Sequence, residues 1–350
     1  MSPVAVYDAL PGRVLFGAGA VDRLADEVDR LGAGRVLLVA GRSRAAHAAE
    51  RLGDRVAATW TGIVQHVPVA TAEQARALAR EAGADAVVCV GGGSAIGLAK
   101  VVALELGIPV VAVPTTYSGS ELSTIYGLTE DGRKRTGRDA RVLPAVVVYD
   151  PALTVSLPPE VTGPSGMNAL AHCVEALYGR NANPVASAMA EAGIRALAAG
   201  LPVAVERPDD LDGRTESLRG AWLAGGALGS AGTGFHHQIC HVLGGAFGLD
   251  HGGMNAVVLP HAVRYVTPAV PELMRLVAAG LGADDAATGC WELARRVRAP
   301  ASLAELGMAE ADLDRAAELC ANHVSQTPRP SGAAELRALL GAAHAGVPPR

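Results

Sequence analysis

Hydrophobic and polar positions follow two rhythms along the chain, and the change falls near residue 155. Before it, short apolar runs alternate with helical stretches. Residues 13–16, 35–40, 56–60, 86–90, 109–113 and 145–149 each form such a run, most of them rich in Val. Unbroken runs of this length and composition suit strands buried on both faces of a parallel sheet. Between them, residues 21–31, 44–52, 71–82 and 95–106 show helical periodicity. Thr71 followed by Gln74 fits a capping box at the start of the third helix, and Gly83 is its expected stop. After Pro158-Pro159 no strong strand pattern returns. Helical stretches succeed one another at 166–178, 184–199, 214–228 and 235–247, and on towards the end. The pattern predicts an α/β domain over residues 1–155 and an all-helical domain over 156–350. A cleft between two such domains is the expected place for chemistry.

Composition narrows this picture. The chain has 350 residues, 50 % hydrophobic and 19 % charged, enough for two cores and unlike a disordered chain. Aromatics are only 3 %, so the cores must be aliphatic. The net charge is −5, and no Lys/Arg run is long enough for a nucleic-acid or membrane surface. The densest basic stretch is Arg133-Lys134-Arg135 with Arg138 and Arg141, expected to be a solvated loop or a guide for an acidic substrate or cofactor phosphate. Five scattered cysteines without a Cys-x-x-Cys pair point to reduced thiols in a cytoplasm. Met1 to Asp8 has no signal-peptide character, and no apolar run approaches the roughly 20 residues of a spanning helix.

The chemistry concentrates in two places. Gly91-Gly92-Gly93-Ser94 sits where an apolar strand turns into a helix. Glycines let a ligand approach the backbone, and the helix N-terminus behind them suits a pyrophosphate. Thr115-Thr116 ends the next strand and adds hydroxyls on the same sheet edge. Together they point to a dinucleotide. The first long strand ends in Gly41-Arg42-Ser43, with no acid to hold a ribose 2′-hydroxyl, while Arg42 is placed to pair with a 2′-phosphate. The cofactor is therefore NADH or NADPH, with NADPH accepted at least as readily.

The second place is His236-His237-Gln238-Ile239-Cys240-His241, continuing to Asp250-His251, which holds four of the ten histidines in sixteen residues. His237 and His241 share a helix face, and Asn168 and His172 have the same spacing upstream. With His251 on the following turn, these residues can build a pocket for a metal or for an anionic substrate.

Several stretches together resemble the iron-containing (group III) alcohol dehydrogenase superfamily, and within it the maleylacetate reductases. They are the glycine motif with Lys100, Pro114-Thr115-Thr116-Tyr117-Ser118-Gly119-Ser120-Glu121, Thr136-Gly137-Arg138-Asp139, Ser165 to His172, and the histidine cluster. The resemblance runs to Thr327-Pro328-Arg329-Pro330. It implies the dehydroquinate synthase-like fold, with a dinucleotide-binding α/β domain and an all-α domain, as a cytoplasmic homodimer. Metal-dependent members hold iron or zinc with one Asp and three His, positions that fall here on Asn168, His172, His237 and His251. His241 matches a further His that is not a ligand. Maleylacetate reductases lack that Asp and are regarded as metal-free. They reduce the carbon–carbon double bond of maleylacetate to give 3-oxoadipate in aromatic-compound degradation. Gly97, an Asp in many metal-dependent relatives, fits that branch.

Asn168 removes the only anionic ligand, which disfavours iron and weakens zinc without excluding it. A pocket of His172, His237 and His251 would instead bind a dicarboxylate, donating hydrogen bonds or carrying charge near neutral pH. One of them, or Tyr117, would supply the proton that accompanies the hydride. The stretch Asp250-His251-Gly252-Gly253-Met254-Asn255 departs from the branch, which tends to carry Pro-His-Ala-Glu-Thr-His there. Three other readings stand beside the reductase. One is a zinc- or iron-dependent alcohol dehydrogenase or carbonyl reductase, marked by tightly bound metal. Another is non-redox chemistry on the same scaffold, marked by nucleotide bound without net consumption. The last is a non-catalytic binding protein.

Overall fold

The valine-rich runs of the first half assemble into one parallel sheet. In this computed structural model, which describes residues 12–130 and 133–350, the strands are β1 (Arg13–Phe16), β2 (Val36–Ala40), β3 (Val56–Trp60), β4 (Ala86–Gly91), β5 (Val110–Pro114) and β8 (Val146–Tyr149). Their order across the sheet is β1-β8-β5-β4-β2-β3, every pair parallel. Met1 to Asp8 lies outside the described residues. The described chain divides into two compact units, residues 12–155 and Ser156–Arg350.

Helices α1 (Leu24–Arg30), α2 (Arg42–Leu52), α3 (Val69–Glu81) and α4 (Gly93–Leu106) cover both faces of the sheet. Successive strand residues point to opposite faces. Val36, Leu38, Val88, Val111 and Val146 therefore pack with Leu24, Val28 and Leu52 of α1 and α2. Leu37, Val39, Val87 and Ala112 pack with Ala72, Ala75, Ile96 and Val101 of α3 and α4. Both faces are buried, which is why these strands read as continuous apolar runs.

Two local expectations change. Helix α3 starts at Val69, with Pro68 in the cap position and no side-chain cap, so Thr71 lies inside the first turn. The fixed φ of Pro68 sets the entry that the capping box was expected to provide. Its end is as expected: Gly83 takes φ +60°, and its N–H donates to the Arg80 carbonyl at 3.0 Å. The basic stretch is not a loop. β6 (Ile125–Glu130) and β7 (Arg133–Arg138) form an antiparallel pair, with Leu128 opposite Arg135 and Tyr126 opposite Gly137. β7 has no apolar alternation to announce it. It is held by backbone pairing to β6, whose Tyr126 and Leu128 pack against the α3–α4 core.

The second unit contains no strand among the described residues. Its helices are α5 (Pro159–Tyr178), α6 (Pro184–Glu206), α7 (Leu211–Ala231), α8 (Phe235–Phe247), α9 (His251–Val266), α10 (Pro271–Leu281), α11 (Ala286–Arg296), α12 (Leu313–His323) and α13 (Ala333–Ala345). α5 begins earlier than periodicity suggested, because Pro159 occupies the first helical position, where a missing N–H costs nothing. α5, α6 and α7 pack mainly through Ala and Gly. A Cβ on Gly200 of α6 would lie 2.5 Å from the Ser217 backbone nitrogen of α7. The buried Arg214 guanidinium ties α7 to the start of α5, donating to Thr162 Oγ1 and the Leu157 carbonyl, each at 2.9 Å.

Contrary to the sequence reading, α6 is long and apolar enough to cross a membrane by length and composition, at 23 residues and mean hydropathy 1.4. Of its most apolar window, 56 % is buried inside the unit, and it packs on α5 and α7 as a core helix. All five cysteines are buried. Burial pushes the thiols of Cys89, Cys290 and Cys320 up to about 12.

Close packing gives a contrast that thermal melts can read. A Cβ on Gly163 of α5 would sit 2.0 Å from the Val297 carbonyl oxygen, whereas one on Gly245 of α8 meets nothing within 4 Å. Gly163→Ala is expected to destabilise by about 2–4 kcal/mol and lower the Tm by several degrees. Gly245→Ala should be neutral or stabilising by up to about 1 kcal/mol, the helix-propensity gain. Equal Tm values for the two variants would refute the packing argument.

Candidate active site

The glycine stretch ends β4 and opens α4. Gly91 closes the strand, Gly92 is the N-cap and Gly93 begins the helix. Next to it, β2 ends at Ala40, opposite Val90, and Gly41 caps α2, whose first residues are Arg42 and Ser43. The chain leaves β2 through α2 for β3 on one side, and leaves β4 through α4 for β5 on the other. This is a topological switch point, where open α/β sheets bind ligands. Two helix N-termini with open N–H groups begin there.

β5 supplies the third wall, since Gly91 pairs with Pro114 and the Thr115 N–H donates to the Gly91 carbonyl at 3.0 Å. A Cβ on Gly92 would meet Thr116 Cγ2 at 2.9 Å, and one on Gly93 would meet Ser118 Cβ at 3.4 Å. The fold thus gathers Gly41, Arg42, Ser43, Gly91, Gly92, Gly93, Ser94, Thr115 and Thr116 along one sheet edge. The residues fit a dinucleotide: at Gly91 and Gly92 there is no room for a side chain, so the backbone itself lines the edge. Arg42 is exposed and has no ion-pair partner among the described residues. Tyr117 follows this wall and is fully buried in the same unit.

The second cluster lies in the helical unit. α5 places Asn168, His172 and Glu175 on one face at i, i+4 and i+7, all of them buried. α8 brings His236 and His237, also buried, and an exposed His241. His251 is not on a turn but is the first residue of α9, where Asp250 caps the helix by accepting the Gly253 N–H at 2.8 Å. The His172 and His237 rings stack at 4.6 Å with an 18° interplanar angle. The His237 and His241 centroids are 6.2 Å apart, and exposed His251 lies close enough to act electrostatically on His172 and His237.

Counting protons fixes the tautomers. His236 Nε2 faces the Asn255 carbonyl at 3.1 Å, so it carries the hydrogen, and Nδ1 keeps a lone pair. Glu175 accepts the backbone N–H groups of Gly234 at 3.0 Å and His237 at 3.2 Å, which makes it an acceptor at the N-terminus of α8. Glu175 Oε2 lies 2.5 Å from His237 Nδ1, so that nitrogen is the donor. His237 Nε2 then carries a lone pair and lies 3.3 Å from Asn168 Oδ1, so the two bond once the amide is turned to present its N–H₂ group there.

Burial first, and neighbouring histidines second, hold His172 and His237 well below the ordinary histidine range. His236 falls to about 3 for the same reasons. Burial raises Glu175, opposed by His236 and by the backbone N–H groups. Burial thus favours the neutral rings of His172 and His237, the hydrogen-bonding one of the two alternatives expected for them. His172 Nδ1 is buried with no hydrogen-bond partner among the described residues.

Asn168, His172, His237 and His251 are the positions that the resemblance assigns to a metal. This donor set contains no anion and does not fit iron. A different trio, Glu175, His236 and His237, brings ligand atoms within 4.8 Å of one another. Two donors on one zinc, each about 2.0–2.1 Å from it, lie roughly 3.3 Å apart in a tetrahedron. The 2.5 Å between His237 Nδ1 and Glu175 Oε2 is a hydrogen bond instead. Sequence reasoning missed Glu175, although its spacing of three from His172 and seven from Asn168 placed it on their helix face.

Comparison with known proteins gives the family of the chain. The Iron-containing alcohol dehydrogenase family model matches residues 11–151, and that of the Fe-containing alcohol dehydrogenase family, C-terminal, matches residues 162–344. The chain is 48 % identical over 347 residues to a maleylacetate reductase of Sphingobium indicum, covering 98 % of each. Crystal structures of maleylacetate reductases from Agrobacterium tumefaciens and Rhizobium sp. strain MTP-10005 superpose with a TM-score of 0.95, each at 43 % identity over 100 % of both chains. With its cofactor edge, its helical histidine cluster and full-length similarity to these enzymes, the chain belongs to the iron-containing alcohol dehydrogenase family of nicotinamide-dependent oxidoreductases, in the branch of the maleylacetate reductases.

Proposed function

We propose that the protein reduces maleylacetate, or a close unsaturated oxo-dicarboxylate, to the saturated 3-oxo-dicarboxylate with NADPH or NADH, and that it does so without a metal. The observation that carries the metal-free part is Asn168 in contact with a neutral His237 whose other nitrogen is fixed by Glu175. The cofactor, when bound, supplies the hydride. Hydride adds to the alkene carbon farther from the ketone, the π electrons move onto the ketone oxygen as an enolate, and a proton adds to the carbon next to the ketone.

The protein's part is to hold the enolate and deliver that proton. His172 Nδ1, buried and without a partner among the described residues, is the donor for the developing oxygen charge. Glu175 and Asn168 hold the His237 ring stacked against it. The proton donor must be reloaded from water in each cycle. Exposed His251 is suited to this, whereas burial keeps His172 and His237 neutral.

The first test is consumption of NADPH and NADH with maleylacetate before and after exhaustive chelation. Turnover should survive chelation. Turnover lost and then restored by zinc or iron would overturn the metal-free reading, and no turnover with either cofactor would overturn the substrate. Arg42 gives a second test. Arg42→Ala should raise KM for NADPH about tenfold and leave KM for NADH unchanged, the loss of one phosphate contact; equal effects on both would remove Arg42 from 2′-phosphate binding. The third is Glu175→Gln, which keeps the shape but lets the His237 tautomer switch. A fall in kcat of at least tenfold is expected in a protein that still melts cooperatively at a lower Tm, since the amide N–H₂ meets buried N–H groups that the carboxylate accepts; wild-type kcat would show that the tautomer is immaterial.

A further inference from the structure

Lys100 is among the largest fully buried side chains of the described residues, and neither the glycine edge nor the histidine cluster accounts for it. It lies two turns into α4, the helix whose first residues form the glycine cradle. Its ammonium donates to the carbonyls of Ser120 at 2.5 Å, Ser123 at 2.7 Å and Ile125 at 2.9 Å, with Ser123 Oγ at 3.3 Å. An ammonium has three protons, and three carbonyls meet them. Among the described residues no carboxylate bonds to it directly. Burying such a charge is costly, and a methionine of similar length would avoid the cost. The arrangement therefore needs a reason beyond filling space.

The reason lies in what these carbonyls belong to. Residues 115–125 run from the end of β5 to β6, and their first part is the wall of the cofactor cradle. Thr116 lies against Gly92, and Ser118 against Gly93. Glu121, between the lysine-bound carbonyls, is fully buried and accepts from Tyr149 Oη at 2.7 Å and Ser118 Oγ at 3.3 Å. Burial drives Lys100 down to about 7, with Glu121 opposing the shift. The segment is thus bolted to the body of α4 on one side and to β8 on the other. Its distance from Gly92 and Gly93 is fixed by hydrogen bonds, not by side-chain bulk.

We propose that Lys100 is a positioning residue for the dinucleotide: by holding the carbonyls of residues 120–125 it sets the gap between Thr116–Ser118 and the glycine cradle, and hence cofactor affinity. The proposal rests on the cofactor reading above. In Lys100→Met the gap loses its fixed width, while the substrate cluster in the other unit keeps its residues.

The test is a titration of NADPH fluorescence, with steady-state kinetics and thermal melts, on the full-length wild type and Lys100→Met. Expected is a Kd and a KM for NADPH raised about tenfold or more, with kcat at saturating NADPH and KM for maleylacetate within about threefold of wild type. A lowered Tm with an unchanged Kd would make Lys100 merely structural and overturn the proposal. A wild type that binds neither NADPH nor NADH would overturn the cofactor reading and this proposal with it. If Lys100→Met loses its cooperative melt, Lys100→Gln, which keeps two donors, carries the same readout. Its Kd should rise by a smaller factor, and an unchanged Kd in a folded Lys100→Gln protein overturns the proposal.

Discussion

The helical unit depends on backbones coming close enough to touch. With few aromatic rings available, α5, α6 and α7 gain their cohesion from Ala and Gly surfaces that let many atoms meet at van der Waals distance. This makes α5 a central helix, buried from Thr162 to Leu177 with the exception of Ser165. Its buried polar groups find partners inside the protein, except His172 Nδ1, which has none among the described residues. Glu175 finds the N-terminus of α8, and Thr162 finds Arg214. The histidine cluster inherits its rigidity from such bonds: His237 is held by the same carboxylate that receives the first N–H groups of its helix.

Neutrality is the second theme of the site. A carboxylate at position 168 would favour a cation between the histidines. An amide leaves two stacked, uncharged imidazoles, His172 and His237; Glu175 sets the tautomer of His237, and the Asn255 carbonyl sets that of the neighbouring His236. Such rings orient and polarise without taking up protons, so work that needs a changing charge passes to groups that reach water. The other unit solves a different problem by similar means. There, two helix starts leave backbone N–H groups at one sheet edge, and glycines line the approach.

How much of this the sequence discloses depends on where each signal resides. Strands buried on both faces advertise themselves, and all six strands of the main sheet are legible as short apolar runs, most of them rich in Val. The glycine turn and the Asn168/His172 and His237/His241 spacings are likewise local patterns. β7 stays hidden because its residues carry no alternation and its pairing is supplied by β6. The length of α6 is obscured by Pro202, which the helix carries inside it. Glu175 escapes notice because a Glu in a helix is ordinary until its burial is known. Its role comes from α8, 59 residues further on at Gly234.

The buried cysteines give the molecule a built-in clock. Alkylating reagents attack thiolates, and thiols held far above neutral pH and away from water react only when the surrounding structure opens. Cys89 sits in the central sheet, while Cys173, Cys240, Cys290 and Cys320 lie among the helices. Labelling at Cys89 therefore times the opening of the sheet, and labelling at the other four times the opening of the helical unit. The two halves of one chain can be followed separately, by mass, without introducing a probe.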